Sequence, residues 1–168
     1  GSISMRNNSS LTEFALPNLL SIRGELFIAN PAENNITSIK CPQLTTILKQ
    51  CYIQAPNLKS LNLNSLESIP GKGDNSDGDG TFSLYGSQLV SLDLPVLKQV
   101  GKKFTLSLGT KHPELTQINL PELISCKEVS IGYADKLETI SLPKLSTLSS
   151  FSITSCAKFS KLNETIAP

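Results

Sequence analysis

The chain has 168 residues, of which 39% are hydrophobic and 17% are charged, and its formal net charge is +1. The basic excess typical of nucleic-acid-binding proteins is missing. No apolar segment approaches the ~18 residues that a membrane-spanning helix needs. We therefore expect one domain with no nucleic-acid partner and no membrane insertion by this segment.

The first ten residues differ from the rest of the chain because they are mostly polar. Gly1 and Ser2 are typical of a cloning remnant, so the chain is expected to be a piece of a longer protein. Residues 1–10 are predicted to be a tag remnant followed by an N-terminal cap or linker.

A short pattern then repeats along the chain. In its first copy it reads Leu11-Thr-Glu-Phe-Ala-Leu-Pro-Asn-Leu19. The copies begin at Leu11, Ile36, Leu58, Leu89, Leu115, Leu137 and Phe159. Their spacing fits a base unit of about 22 residues with insertions, which is the signature of a repeat architecture.

Each unit predicts two short strands separated by corners. Phe14 and Leu16 are separated by one residue, which places both side chains on one face of a strand. Pro17 has no amide hydrogen for a ladder and is expected to end that strand at a corner. The segment from Leu19 to Ile22 suits a turn or a short 3-10 segment, and a second strand follows it.

A unit this small buries its apolar face only by stacking on its neighbours. The sequence therefore predicts a mainly β fold, a right-handed solenoid of about six leucine-rich coils over residues 11–162, with short turns or 3-10 segments and almost no long α-helix. The last copy is incomplete, because Glu164 stands where leucine is expected. Residues 163–168 are predicted to be a polar C-terminal tail that caps the stack.

An insertion at residues 70–81 carries the alternating oxygen ligands Asn75, Asp77 and Asp79, followed by Gly80. This spacing resembles the first half of an EF-hand-type calcium loop. Gly86 stands where the bidentate acid of such a loop is expected. The alternative is a hydrophilic insertion that binds no metal, and no other cofactor is predicted.

Four cysteines occur without any metal-ligand spacing. Cys41, Cys51 and Cys126 stand where the repeat places inward apolar residues, so they are predicted to be buried and reduced. Cys156 falls in a corner.

Three aromatic residues are candidates for a binding site. Phe27 and Tyr52 occupy matching outward positions of adjacent coils, where later coils have serine or threonine, and Tyr85 lies one step along the next coil. Exposed aromatics can bind sugar rings or form a protein hot spot. The alternative is a cross-strand pair that only stabilises the sheet. If the site binds a partner, truncating Phe27 and Tyr52 should reduce binding at little cost in folding stability.

The repeat resembles two related groups over residues 11 to about 162. One is the BspA-like leucine-rich repeat of bacterial surface proteins, notably from Bacteroidetes, and the other is the leucine-rich β-helix of receptor L domains. The prolines near the end of each first strand favour a flat β-helix-like prism over a horseshoe with regular helices. The resemblance implies an extracellular or cell-surface location and adhesion or recognition of a protein or glycan, with no catalytic residues to transfer.

We therefore expect a non-enzymatic binding or adhesion module. A structural spacer of a surface protein is the alternative. A polysaccharide-acting β-helix enzyme is less favoured, because it would need clustered acidic and basic residues on one sheet.

Overall fold

A computed structural model of the chain describes residues 1–29, 35–73, 78–109 and 113–164. All regular structure in these ranges is β-strand. The strands pair in parallel and stack as a right-handed β-solenoid of about six turns, which confirms the predicted fold. The described part of the chain contains no helix long and apolar enough to cross a membrane.

The first face of the solenoid is built from the repeated pattern at the start of each coil. It consists of β2 (Glu13–Ala15), β5 (Ser38–Lys40), β8 (Ser60–Asn62), β11 (Ser91–Asp93), β13 (Gln117–Asn119), β15 (Thr139–Leu142) and β17 (Lys161–Glu164). Here β2, β5 and β8 form one parallel sheet, and β11, β13, β15 and β17 form another. The final strand pairs Glu164 with Leu142 and Asn163 with Ser141, so the leucine position is the one that becomes polar.

The second face lies where the sequence predicted only a turn or a 3-10 segment. It is made of the short strands β3 (Ser21–Ile22), β6 (Thr46–Ile47) and β9 (Ser68–Ile69) and of the first residues of β12 (Gln99–Ser107) and β14 (Ser125–Gly132). Each coil hydrogen-bonds to the next here, as where Leu48 N donates to Ile22 O at 2.8 Å. The prediction of a local turn was wrong because neighbouring coils, not the segment itself, satisfy this backbone.

The third face continues each coil after a corner. It contains β1 (Ile3–Arg6), β4 (Leu26–Ala29), β7 (Gln50–Gln54), β10 (Thr81–Tyr85), the later residues of β12 and β14, and β16 (Ser150–Thr154). Since β12 and β14 run through the corner, the second and third faces belong to one sheet. Residues 3–6, which the sequence assigned to a cap or linker, form β1 and pair with β4.

Proline shapes the corners at the end of the first face. Leu44 N donates to Cys41 O at 3.1 Å, which closes a four-residue turn with Pro42 at its second position. The fixed backbone angle of proline suits that position, and the amide hydrogen it lacks is not needed there. The same turn closes between Leu16 and Leu19 at 3.3 Å. The pattern Leu-Pro-x-Leu is therefore the corner itself.

One continuous core runs along the axis of the solenoid. Strand residues alternate between inward and outward positions, so that Leu26 and Ile28 are fully buried on either side of Phe27. Phe82 and Phe104 stack inside the core with ring centroids 4.9 Å apart and an angle of 8° between their planes. Each coil buries its side chains against the next, so neighbouring coils share one core.

Candidate functional site

The third face carries the aromatic residues predicted from the sequence. Strands β4 and β7 pair so that Phe27 lies opposite Tyr52, and β7 and β10 pair so that Tyr52 lies opposite Ser83. Tyr85 is therefore the diagonal neighbour of Tyr52, two residues beyond Ser83. All three aromatic side chains lie on the outward surface of this face, and each is half-buried.

These rings contact one another. The Phe27 and Tyr52 rings are stacked, with centroids 4.6 Å apart and an angle of 7° between their planes. The Tyr52 and Tyr85 centroids are 5.2 Å apart, with the rings tilted by 35°. Such pairs stabilise a sheet beyond the area that they bury.

Arg6 extends the row of rings at its other end. Its guanidinium carbon lies 4.0 Å from the centre of the Phe27 ring, within the range of a cation–π contact. Since β1 and β7 lie on opposite sides of β4, Arg6 and Tyr52 approach opposite faces of the Phe27 ring. We call Arg6, Phe27, Tyr52 and Tyr85 the aromatic ladder.

Arg6 lies in the polar segment 1–10 that the sequence predicts to be a cap or linker, so the sequence does not indicate its place beside Phe27. The alternation of Ile3 and Met5 with Ser4 and Arg6 could have identified it as a strand.

The Phe27 ring presents its edge rather than an open face, because Tyr52 stacks on one side of it and Arg6 approaches the other. The Tyr52 hydroxyl donates to Gln54 Oε1 at 3.4 Å. Desolvation raises the pKa of Tyr52, the neighbouring Tyr85 adds to this rise, and the positive charge of Arg6 opposes it. Tyr52 is therefore a protonated hydrogen-bond donor well beyond neutral pH.

Beyond the ladder, the same outward column of the third face consists of small polar side chains. In register with Phe27 and Tyr52, it continues through Ser83, Thr105, Ser130 and Ser152. Ser83 is buried beside Tyr52 with 7% exposure. The face thus divides into an aromatic half and a flat hydroxyl-bearing half.

The insertion in the third coil contains the residues considered for calcium. Asn75 and Asp77 lie outside the described residues. Asp79 is 8% exposed, and its two carboxylate oxygens accept hydrogen bonds of 2.7 Å from the amides of Lys72 and Gly73. Within the described ranges, no three or more His, Cys, Asp or Glu side chains gather as metal ligands would. Through these two hydrogen bonds, the Asp79 side chain near the end of the insertion holds the backbone at its start.

Cys41, Cys51 and Cys126 are fully buried and form no disulfide, which confirms the prediction for them. Burial raises the pKa of all three thiols, that of Cys126 to about 11. Cys156 is half-buried, and desolvation also raises the pKa of its thiol.

Native labelling with a bulky thiol reagent should modify Cys156 first and the other three cysteines only on unfolding, because the thiolate must be exposed to react. A Cys156→Ser variant should lose the early phase of labelling, which mass spectrometry would detect. Rapid native labelling of more than one thiol would contradict this register.

The buried thiols also make stability depend on pH. Since the folded thiols hold their protons above the usual pKa of ~8.5, the free energy of unfolding should fall as pH rises past that value towards the folded pKa.

Scans of this chain against protein-family models, curated proteins and solved structures find no match.

Proposed function

We propose that this chain is a non-catalytic binding module that recognises a protein partner through the aromatic ladder of its third face. The observation that carries the proposal is the concentration of Arg6, Phe27, Tyr52 and Tyr85 on one surface. Later coils place serine or threonine at the positions that match Phe27 and Tyr52. Arginine and tyrosine are among the residues most enriched in interface hot spots. A solenoid holds such a group rigidly, so binding costs little ordering of the site.

The geometry of the rings favours a protein over a glycan as the partner. A sugar ring binds an aromatic residue by lying flat on an open ring face. Tyr52 covers one face of the Phe27 ring and Arg6 covers the other. Ring edges, the guanidinium group and two phenol hydroxyls remain, and these groups suit the mixed apolar and polar contacts of a protein interface.

The location proposed for the module is extracellular or at a cell surface. This follows from the resemblance of the repeat to BspA-like and receptor L-domain solenoids, whose members imply attachment and adhesion. The alternative is a structural spacer of a surface protein. It is favoured by the half-burial of the ladder and the stacking of its rings, which stabilising the sheet would by itself explain.

The binding test compares the aromatic and hydroxyl halves of the third face. In one variant, Phe27→Ser with Tyr52→Ser gives the ladder the side chain found in later coils. In the control, Thr105→Ala with Ser130→Ala changes the other half of the same column. Wild-type chain and both variants are applied to arrays of extracellular proteins and of glycans, at a temperature where all are folded.

Binding to a protein that only the Phe27→Ser, Tyr52→Ser variant loses would support the proposal. Equal loss in both variants, binding to glycans alone, or no binding by the wild-type chain would favour the other functions.

Stacking changes the expected effect of truncation on stability. From the register alone, alanine at Phe27 and Tyr52 would cost little. Because the rings are stacked, the two substitutions should instead be coupled by about 0.5–1.5 kcal/mol. Urea denaturation of the two single variants and the double variant measures that coupling. Strictly additive losses would show that the stacked contact contributes nothing to stability.

A further inference from the structure

The ends of the solenoid expose what its middle buries. Some apolar residues pack on the core but stay partly exposed. All of them except Leu61 lie in the first and last coils. At one end they are Ile3, Met5, Leu11, Leu16 and Leu19, and at the other Phe151, Ile153, Cys156, Phe159 and Leu162. In the described part of the chain, β1 and β2 pair on one side only, as do β16 and β17. Among the described residues, each end therefore has strand edges without a paired strand beside apolar side chains, an arrangement prone to pairing with another strand.

We infer that a second copy of this chain binds head to tail, with its β1 added to β16 and its β2 added to β17. The two ends are complementary in outline. The last coil supplies a first-face strand, β17, beyond β16, while the first coil supplies a third-face strand, β1, ahead of β2. Joined in this way, β17 of one copy and β1 of the next complete one shared coil.

The register of the core continues across this junction. Ile3 pairs with Leu26, and the same column runs on to Phe151, so Ile3 of the second copy would lie opposite Phe151. Met5 would then lie opposite Ile153, and both inward rows would continue unbroken. On the first face, Phe14 of the second copy would lie opposite Leu162. The partly exposed apolar residues at both ends would become buried, as in the interior coils.

The backbone groups at the two edges also match. Thr154 O accepts a hydrogen bond from Tyr133 N at 3.1 Å, so Thr154 faces β14, and alternation directs the Phe151 and Ile153 peptide groups to the open side. At the other end, Ile3 N donates to Glu25 O at 2.8 Å, which leaves Ser4 and Arg6 facing the open side. In a parallel pair, this offset brings donors opposite acceptors.

Lysine–glutamate pairs join adjacent coils inside the solenoid, and the proposed junction would bring together a pair of the same kind. Lys98 and Glu67 occupy the same repeat position in adjacent coils, and their charged atoms are 3.0 Å apart. The pairs Lys136–Glu114 and Lys144–Glu122 repeat this arrangement at 2.7 Å. At the junction, Lys161 would lie opposite Glu13 of the second copy, which also pairs with Lys40 of its own chain, because Lys161 and Glu13 hold the same position on the first face.

A contact between two different ends does not close on itself. Repeating it adds copies along one axis, so an open series of oligomers is expected rather than a single symmetric dimer. Sedimentation velocity over a concentration series should show a weight-average mass that rises continuously. Raising the salt concentration should weaken the association in part, since Lys161 and Glu13 are exposed charges.

Two variants that each block one end provide the decisive test. Met5→Glu places a charge at the N-terminal edge, and Ile153→Glu does so at the C-terminal edge. Alone, each should be monomeric, because it keeps only one working end. Mixed, they should form a 1:1 dimer that grows no further, as the intact C-terminal end of the Met5→Glu chain meets the intact N-terminal end of the Ile153→Glu chain. Circular dichroism and thermal melts verify that each variant is folded.

A third variant uses surface positions that leave the core untouched. Lys161→Glu should weaken association, and adding Glu13→Lys with Lys40→Glu to the same chain should restore it, because the junction then pairs the exchanged charges and position 13 keeps an opposite charge at position 40. A wild-type chain that stays monomeric at its highest soluble concentration would overturn the inference. A dimer that stops at two copies, or a mixture of blocked variants that stays monomeric, would overturn it as well.

Discussion

Replacing Phe104 by alanine should lower the free energy of unfolding by about 3–5 kcal/mol, the range for removing a large aromatic side chain from a core. Phe104 is fully buried, and its ring stacks on that of Phe82 with centroids 4.9 Å apart. The substitution removes this contact and leaves a cavity between two coils that both contribute to the central core. Equilibrium urea denaturation followed by circular dichroism measures the loss.

Phe151→Ala is the matched control, because Phe104 and Phe151 hold the same register position on the third face and both pair with Val129. Phe151 is only half-buried, with no described strand on its other side. At concentrations low enough for the chain to be monomeric, its loss should therefore cost clearly less than that of Phe104. Equal losses would mean that burial between coils is not what stabilises the stack, and a small loss at Phe104 would show that the core collapses to fill the cavity.

This core could be predicted from sequence because its signal is local and repeated. Phe82, Phe104 and Phe151 stand at the same point of three units, two residues before another apolar side chain, and this alternation is typical of strand residues that share one face. The corners were predictable for a similar reason. Pro42 and its counterparts impose a backbone angle that only a few turns accept, and that constraint does not depend on neighbouring coils.

What the sequence did not reveal depends on contacts between coils. The second face contains strands as short as Ser21–Ile22 and Thr46–Ile47, whose alternation is too brief to distinguish from a turn. Their hydrogen bonds go to the adjacent coil and follow no local pattern. The aromatic ladder shows the same limit. Register placed Phe27 and Tyr52 side by side, but the 7° angle between their rings and the approach of Arg6 depend on side-chain rotamers.

Replacing Gly101 by alanine should also destabilise the solenoid strongly, by at least about 2 kcal/mol, in the upper part of the range for overpacking. A Cβ atom at Gly101 would lie 2.0 Å from the carbonyl oxygen of Pro70 and 2.7 Å from its carbonyl carbon. These are backbone atoms at the start of the insertion, so no rotation of a side chain relieves the overlap. The adjacent backbone is fixed as well, since Lys102 N donates to Gly80 O at 2.8 Å and Gly80 N donates to Lys49 O at 2.7 Å.

Gly24→Ala is the control, because Gly24 lies at the same corner of the first coil and is no more exposed than the half-buried Gly101. A Cβ atom there would lie 2.1 Å from Ser2 Oγ, which accepts a hydrogen bond from Glu25 N and belongs to an exposed side chain that can rotate away. Stability should then fall by no more than about 1 kcal/mol, the typical net contribution of one such hydrogen bond. Denaturation of both variants under the same conditions separates backbone overlap from a general cost of alanine at this corner. If Gly101→Ala proved as mild as Gly24→Ala, the Pro70 carbonyl would have to move, and the insertion would not be held against β12 by close packing.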